Sequence, residues 1–332
     1  MGEVRRVVVT GATGAIGKKL CAKLEAKGYR VVVFSRDPDR ARRTMRHGAE
    51  FVAWTPAENG PWASAIDGAY GVIHLAGANL FGRRWNAAYK QEIRDSRIIG
   101  TRGIVNAIAA AQTKPRVFIS GSAVGYYGFN EGEALDESAG AGSDFLAQVV
   151  HDWEAEAQRA EQLGVRTVIV RTGVVLTPPK RGLPITLSGA SLSRPGVVLD
   201  TESGALPLMS LPFKLFTGGP IASGKQWLSW IHVDDEIGII LMALENEQVR
   251  GPINATAPEA MTNRDFSKKL GSVLGSPSWM PVPGFALKLM LGELADAMLI
   301  KGQHVAPKKV QELGYQFKYP TADGALRNLL RK

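Results

Sequence analysis

A glycine-rich turn between an apolar run and a helical pattern constrains the fold more than any other feature. The segment VVVTGATGAIGKKL places Gly11, Gly14 and Gly17 after a β-branched strand and before a helix. The first glycine permits a sharp turn, the second lets backbone approach a pyrophosphate, and the third allows close packing of helix on strand. The helix N-terminus then faces the phosphates. The alternative, a glycine turn without a ligand, is disfavoured by this context. The predicted cofactor residues here are Gly11, Thr13, Gly14, Ala15, Ile16 and Gly17.

Apolar, β-branched runs alternate with helical patterns through the first two-thirds of the chain. Such alternation is typical of a parallel sheet with crossover helices. The predicted strands are Arg6–Thr10, Arg30–Ser35, Glu50–Trp54, Gly71–Leu75, Arg116–Ser120 and Thr167–Arg171. The predicted helices are Ile16–Lys27, Pro38–His47, Arg84–Ala111 and Phe145–Leu163. This order predicts an α/β fold, a Rossmann-type doubly wound parallel sheet with a smaller C-terminal α+β lobe.

The composition changes once along the chain. The stretch from Pro178 to Pro212 is rich in Pro, Gly and Ser, and it is interpreted as a long excursion rather than core. We therefore predict a Rossmann domain that binds the dinucleotide over residues 1–176, and a substrate-side lobe with a C-terminal extension over residues 177–332. Near residues 225–255 some of the chain is expected to return to the sheet.

Charge and cysteine content limit the partners and the compartment. The net charge is +9, but the basic residues are scattered, so we expect a small-molecule substrate and no nucleic acid. The single Cys21 excludes an internal disulfide framework and fits a reducing compartment. No apolar run approaches the roughly 18–20 residues that span a bilayer, and the first strand leaves no room for a signal peptide. We expect no membrane association, a monomer or homodimer, and a cytoplasmic location unless the chain is a matured organellar protein.

The second strand indicates which nicotinamide cofactor is bound. NAD-binding proteins usually end this strand with Asp or Glu, which accepts hydrogen bonds from the ribose 2′-hydroxyl. Here Ser35 and Arg36 hold the position, and Arg40 follows one turn later. Because a guanidinium binds a 2′-phosphate that a carboxylate would repel, we predict NADP(H) in preference to NAD(H). Asp37 lies one step past the strand end, where it can cap the next helix.

The remaining predicted cofactor residues follow later strands of the sheet. In VIHLAGAN, small residues at the end of the fourth strand would pass beneath the dinucleotide. Others lie at the ends of the fifth and sixth strands. The set is Leu75, Ala76, Gly77, Ser120, Arg171 and Gly173.

Four motifs follow one another along the chain: TGATGAIG, VIHLAGAN, SGSAVGYYG and WIHVDD. Together they resemble the extended short-chain dehydrogenase/reductase group within the NAD-dependent epimerase/dehydratase superfamily. The segments FISGSAVGYYG, GGPIASGKQW and GYQFKYP look like an atypical, epimerase-like branch whose substrate is undefined. The similarity covers nearly the whole chain apart from the excursion.

The resemblance implies a catalytic set that this chain only partly carries. Characterised members use a Ser or Thr together with a Tyr and a Lys spaced as YxxxK, in which the ammonium lowers the pKa of the phenol. Ser122 matches the serine position. Within SDFLAQVVHDWE, however, Leu146 and Val150 occupy the Tyr and Lys positions, and neither side chain can transfer a proton. Tyr126 is the candidate replacement, with a packing role as the alternative.

The substrate side also departs from the family pattern. Members that bind nucleotide sugars commonly carry an Arg before IHVDD, where this chain has Leu228 and Ser229, so a diphosphate clamp is missing. Several Trp residues in presumed crevice loops suggest a flatter or more apolar substrate. The predicted pocket residues are Trp85, Lys90, Tyr127, Gln226, Trp227 and Trp230. No metal site is expected, because the histidines are dispersed and no metal-ligand spacing is present.

Three cations on the third predicted helix share one face. Lys90, Arg94 and Arg97 are spaced by four and three residues, so they either bind an anionic substrate or form a solvated surface. Arg97 stands where the family often has an asparagine. Glu154, beside Trp153, is interpreted as structural.

Three functions fit these observations, and the sequence favours an enzyme. The first is an NADP(H)-dependent oxidoreductase on a small carbonyl or carbinol substrate held by Ser122 and Tyr126. The second is a nucleotide-sugar epimerase or dehydratase, an isomerase-type activity with a displaced base. The third is a non-catalytic NADP(H)-sensing or partner-binding protein, which the missing YxxxK pair motivates.

Overall fold

The computed structural model describes residues 5–45, 48–57, 59–179 and 205–330. Its strands are β1 (Arg6–Thr10), β2 (Arg30–Ser35), β3 (Glu50–Ala53), β4 (Gly71–His74), β5 (Val117–Ala123), β6 (Asn130–Leu135), β7 (Arg166–Thr172), β8 (Val174–Leu176), β9 (Trp227–Leu228), β10 (Trp230–His232), β11 (Gly251–Ala255), β12 (Met261–Thr262) and β13 (Gln303–Val305). Its α-helices are α1 (Ala15–Ala26), α2 (Pro38–Thr44), α3 (Ala87–Ala110), α4 (Phe145–Gln158), α5 (Ala205–Lys214), α6 (Val233–Glu245), α7 (Asn263–Leu274), α8 (Gly284–Leu291), α9 (Glu293–Ala295), α10 (Lys308–Glu312) and α11 (Ala322–Leu330).

Seven parallel strands form the central sheet in the order β3-β2-β1-β4-β5-β7-β11. The chain runs outward from β1 to β3, returns to β4 beside β1, and then runs outward to the other edge. The strand order therefore reverses between β1 and β4, and a crevice opens there at the carboxyl ends of the strands. This arrangement confirms the predicted doubly wound, Rossmann-type α/β fold.

Both faces of the sheet are covered by helices, as the continuous apolar strands require. Val7 and Val9 of β1 point to one side, where α1 and α6 contribute Leu20 and Ile240 to a buried cluster. Val8 points to the other side, against a second buried cluster that includes residues of α3 and α4. These two layers hold the carboxyl ends of β1, β4 and β5 in fixed positions around the crevice.

A smaller C-terminal region lies beside the sheet. Short strand pairs β8–β10 and β6–β13 connect it to the Rossmann portion, and β9 pairs with β12 within it. Its own buried cluster includes Phe213 of α5, Phe266 of α7 and Leu326 of α11. β11 follows α6 and extends the central sheet by pairing with β7.

Several element ends differ from the predictions for identifiable reasons. Strand β5 continues to Ala123, because its register with β7 extends to Thr172. Helix α3 begins only at Ala87, since the Asn86 side chain accepts the Tyr89 amide and caps it. The predicted helix Phe145–Leu163 divides into α4 and a separate 3₁₀ turn.

The predicted excursion is described only at its two ends. Residues 180–204 lie outside the described residues. Beyond them, the chain forms α5, whose Leu206 is fully buried in the C-terminal cluster, so this end belongs to the core. The interpretation as excursion was therefore wrong for residues 205–212, where an apolar helix tolerates an internal Pro212.

Candidate cofactor and catalytic site

The glycine turn has the geometry that backbone sterics demand. Gly11 has a φ of 68°, and a Cβ atom there would lie 2.8 Å from the Leu75 carbonyl carbon. A Cβ atom on Gly17 would lie 2.3 Å from the Gly11 oxygen, so α1 packs on the turn only with glycine here. Gly14 is the N-cap of α1 and has no side chain to accept the first-turn amides. Those amides, from Ala15 onward, are available to an anion.

A hydrogen-bond cluster fixes the strand reversal beside this turn. The amides of Leu75 and Ala76 both donate to the Thr10 hydroxyl, each at 3.1 Å. With its acceptor sites used in this way, Thr10 donates its own proton to Nδ1 of His74 at 2.7 Å. Complete burial lowers the pKa of His74 to about 3, so the ring is neutral and accepts this bond. The loop after β4 is therefore held against the end of β1.

The end of β2 presents an arginine that has no direct partner among the described residues. The Asp37 carboxylate accepts the Arg40 amide at 2.9 Å and caps α2, which is the role that its position allowed. The Ser35 hydroxyl accepts the Asp37 amide at 3.2 Å. Arg36 is exposed and makes no hydrogen bond or ion pair with any residue that the structure describes. The edge of the crevice therefore presents a guanidinium, while the nearest carboxylate is engaged in the helix cap.

A buried polar network lies where β5, α4 and β7 meet. Ser122 donates to Oε1 of Glu154 at 2.5 Å. Arg171 forms a two-pronged ion pair with the same carboxylate, with both nitrogen–oxygen distances at 2.8 Å. Both charged side chains are 3% exposed. Burial alone would lower the pKa of Arg171, but the bonds to Glu154 raise it above its ordinary value, so the guanidinium stays charged.

Two tyrosines extend this network in different ways. The Tyr127 hydroxyl accepts from Arg171 at 3.0 Å and donates to Oδ1 of Asn254 at 2.7 Å, so it is fully engaged. Burial raises the pKa of Tyr127, which keeps its phenol neutral. Tyr126 stacks its ring on the Arg171 guanidinium at 3.5 Å, and its hydroxyl has no hydrogen-bond partner among the described residues. Of the two, Tyr126 has the available phenol.

Helix α4 contributes this carboxylate and has no Tyr or Lys at positions 146 and 150, where the resemblance leads one to expect them. Val150 is buried and Leu146 half-buried, so neither offers a polar atom. Glu154 lies one turn after Val150 on the buried face of the helix, whose start is capped by the Asp144 carboxylate. Glu154 and Asn254 were not predicted from the sequence as site residues. For Glu154 the available signal was a carboxylate four residues after Val150, on the apolar face of the predicted helix. No signal was available for Asn254.

Two predicted pocket residues meet on the α3 side of the crevice. The Trp85 indole packs edge-on against Phe145, with ring centroids 5.6 Å apart. The Lys90 ammonium lies 4.5 Å above the same ring and forms an ion pair with Glu293 of α9 at 2.8 Å. The C-terminal region therefore contacts the helices that border the crevice.

The other predicted pocket residues lie elsewhere. Gln226 is buried and donates to the Leu299 carbonyl, and Trp227 stacks on His304 with a centroid distance of 4.2 Å. Trp230 is 1% exposed inside the C-terminal core, where its indole donates to the Glu259 carbonyl. The prediction that Trp230 lines the pocket is therefore corrected, because β10 directs this side chain into the C-terminal core.

Three predicted cofactor residues offer no free side chain to a ligand. Ser120 is buried and donates to the Gly121 carbonyl, and the Arg171 side chain is committed to Glu154. Gly173 donates its amide to the Ala255 carbonyl at 3.0 Å. Any contact from these positions to a dinucleotide would involve backbone atoms.

Neither a metal cluster nor a spanning helix is found in the described ranges. No group of three His, Cys, Asp or Glu side chains there is arranged to hold a metal ion. Within the same ranges, no helix combines the length and apolarity needed to cross a membrane.

Two protein-family models match different parts of the chain. Residues 7–255 match the NAD dependent epimerase/dehydratase family, and residues 282–329 match a domain of unknown function, DUF1731. A relative from Arabidopsis thaliana, the epimerase family protein SDR39U1 homolog, chloroplastic, is 39% identical over 98% of this chain and 86% of its own length.

The solved structures that are similar over nearly the whole chain include two that are more than 30% identical to it. The crystal structure of human epimerase family protein SDR39U1 (isoform 2) with NADPH has a TM-score of 0.81 and 32% identity, and covers 98% of each chain. The nucleoside-diphosphate sugar epimerase from Corynebacterium glutamicum has a TM-score of 0.73 and 31% identity, over 99% of this chain and 58% of that one.

Proposed function

The chain belongs to the NAD dependent epimerase/dehydratase family, and within it we propose an NADP(H)-dependent oxidoreductase that acts on a small carbonyl or carbinol compound. The observation that carries the proposal is the combination of an intact glycine turn with Arg36 at the end of β2, whose guanidinium has no partner among the described residues. The family membership agrees with the resemblance seen in the motifs. The human relative, which was crystallised with NADPH, supports the choice of cofactor.

The residues at the turn fit a dinucleotide. A side chain on Gly11 would overlap the loop after β4, and one on Gly17 would overlap Gly11 and Ala12, so the turn stays open to a pyrophosphate only with glycine at both positions. The first amides of α1 would bind the phosphates, and Arg36 would bind the 2′-phosphate of the adenosine. NADP(H), when bound, supplies or accepts a hydride.

On the chemical side, Ser122 and Tyr126 have complementary roles. Because the Ser122 proton is donated to Glu154, its lone pairs are what it offers to a substrate, and these accept a hydrogen bond from a carbinol hydroxyl. Tyr126 has a hydroxyl without a partner among the described residues, and we assign it the exchange of a proton with the substrate oxygen. Arg171 positions both groups, through Glu154 and through its stacking on the Tyr126 ring.

Two other functions compete with this one. A non-catalytic NADP(H) sensor is favoured by Leu146 and Val150 at the usual Tyr and Lys positions of α4. A nucleotide-sugar epimerase is favoured by the name of the Corynebacterium relative. Against it, Leu228 offers no charge to a diphosphate, and the neighbouring Ser229 hydroxyl donates to the Gln303 carbonyl at 2.7 Å.

The test of the chemistry is a nicotinamide absorbance assay against a broad panel of small carbonyl and carbinol compounds. We expect Tyr126→Phe to slow turnover by about 10²–10⁴-fold, the usual contribution of a general acid. Ser122→Ala should also slow it. Tyr70→Phe, at the amino ends of the strands, is the matched control and should leave turnover unchanged. Cofactor binding without turnover on any panel member would favour the sensor, and tight UDP- or GDP-sugar binding would favour the epimerase.

We also infer a cytoplasmic location. Cys21 is a free, buried thiol, and burial raises its pKa to about 12, which suits an unreactive core residue in a reducing compartment. Subcellular fractionation tests this placement, and recovery with an organelle, as the name of the Arabidopsis relative suggests for that protein, would overturn it.

A further inference from the structure

Helix α3 carries three cations on one face, and two of them are neutralised within the protein. The Lys90 ammonium pairs with Glu293 at 2.8 Å, and the Arg94 guanidinium pairs with Asp152 at 2.5 Å. Arg97 has no carboxylate partner among the residues that the structure describes. Its charge is therefore the uncompensated one on this face.

The surroundings of Arg97 are polar but neutral. Its guanidinium donates to the carbonyls of Ile93 and Ala78, both at 3.1 Å, and lies 5.5 Å from the ring centre of Trp153. Burial lowers the pKa of Arg97 to about 10, which leaves it protonated at neutral pH. By accessible surface the residue is nevertheless half-buried rather than fully buried. Arg97 is therefore enclosed by protein without being sealed from solvent.

Arg97 lies next to the loop after β4 and near the strand that carries Ser122. The Arg97 guanidinium carbon is 3.1 Å from the position that a Cβ atom on Gly77 would occupy, at the end of β4. The Trp153 ring beneath it is 3.5 Å from the corresponding position on Gly121, which precedes Ser122. Arg97 therefore contacts the cofactor half of the proposed site directly, and the Trp153 ring separates it from the serine half.

A second buried arginine shows what a purely structural guanidinium looks like here. Arg166 donates to three carbonyls, those of Ala243, Leu244 and Val249, and is only 8% exposed. Two of these carbonyls belong to the last turn of α6, where a cation is favoured by the helix dipole. Arg97 has fewer carbonyl partners, more exposure and no helix terminus that requires it.

We propose that Arg97 binds an anionic group of the substrate, so that the substrate class is a small carbonyl or carbinol compound carrying one carboxylate or phosphate. This inference rests on the proposed oxidoreductase function. A guanidinium presents a planar set of donors that matches either oxyanion. The two hydrogen bonds to the Ile93 and Ala78 carbonyls leave other N–H groups of the Arg97 guanidinium for a ligand. A single cation suits one anionic group, which also agrees with the missing charge at Leu228.

The experiment measures binding rather than turnover, so that it does not depend on catalysis. The protein saturated with NADP⁺ is titrated with pyruvate and glyceraldehyde 3-phosphate, and with their uncharged counterparts, methyl pyruvate and glyceraldehyde. We expect at least one anion to bind about tenfold more tightly than its counterpart, as a charge-assisted contact implies. Arg97→Met should abolish this preference and Arg97→Lys should retain part of it. Arg94→Met, whose arginine is already paired, should leave it unchanged.

Other results separate this inference from the proposed function. Equal binding of charged and uncharged partners, no binding of either anion, or a preference that survives Arg97→Met would overturn the role of Arg97. So would an Arg97→Met variant that loses NADPH affinity and keeps the anion preference, since Arg97 would then serve the cofactor. A wild-type protein that fails to bind NADPH would instead overturn the proposed function.

Discussion

The two halves of the crevice are built in different ways. The cofactor half is a stretch of consecutive backbone, in which β1, the glycine turn and α1 follow one another and Gly11 meets Gly17 by van der Waals contact. The chemical half is made of side chains from separate elements, and Ser122 and Glu154 are 32 residues apart in sequence. The first half depends on the absence of side chains and the second on a buried ion pair.

This difference explains why one half keeps the family pattern and the other does not. A glycine whose Cβ would overlap backbone atoms has no substitute, because the backbone cannot move aside locally. A polar network can be rebuilt from other residues, provided that every buried charge has a partner. Glu154 and Arg171 satisfy that condition without the usual Tyr and Lys.

The largest loss of stability from a single substitution should come from breaking the ion pair. Glu154→Gln leaves the buried Arg171 guanidinium without a counter-charge, which should lower the free energy of unfolding by about 3–5 kcal/mol. Asp152→Asn is the control on the same helix, because its pair with Arg94 is well exposed and worth at most about 1 kcal/mol. Urea unfolding of both variants measures the difference. Equal losses of unfolding free energy in the two variants would show that the Glu154–Arg171 ion pair does not stabilise the chemical half of the crevice.

A smaller effect is expected when a methyl group is added to the glycine turn. In Gly17→Ala the new Cβ meets backbone atoms of Gly11 and Ala12, so α1 must shift, at a cost of about 1–3 kcal/mol. The same shift displaces the first amides of α1, so NADPH affinity should also fall. Gly48→Ala, where no atom lies within 4 Å of the added Cβ, should change neither quantity. Normal NADPH affinity in Gly17→Ala would contradict the proposed binding of the phosphates by the first amides of α1.

A third prediction concerns a buried carboxyl beside the chemical half. Glu236 accepts from Thr172 at 2.8 Å, its other oxygen has no partner among the described residues, and burial raises its pKa from 4.5 to about 8. Between these two values the folded protein holds a proton that the unfolded chain has lost. Stability should therefore fall as pH rises from about 4.5 to 8, with a slope of about 1.4 kcal/mol per pH unit from this group.

Glu236→Gln isolates this slope, because the other titrating groups are the same in both proteins. The variant should gain stability over the wild type steadily across that pH window and keep the gain above it. Unfolding curves at several pH values give the difference directly. Parallel pH profiles for the two proteins would show that Glu236 is ionised or paired in the folded state.

The sequence predicted the fold and the cofactor half because their determinants are local. Strands β1 and β2 were predicted to the residue, since each is a continuous apolar run bounded by turn residues. The role of Asp37 as a helix cap was also readable from its position. These features depend on neighbours in sequence.

The chemical half could not be predicted in the same way, because its contacts are tertiary. Glu154 was interpreted as structural, yet it holds both Ser122 and Arg171. Trp230 was placed in the pocket, but the pairing of β10 with β8 carries it into the C-terminal core. Only the fold brings these residues to their partners.

The most direct test of the central claim is the titration of the wild type and Arg36→Ala with NADPH and with NADH, followed by nucleotide fluorescence. The account predicts that the wild type prefers NADPH and that Arg36→Ala loses roughly tenfold to hundredfold in NADPH affinity, the range for one hydrogen-bonded charge, with NADH binding unchanged. No affinity for NADPH, or a preference for NADH that persists in Arg36→Ala, would contradict it.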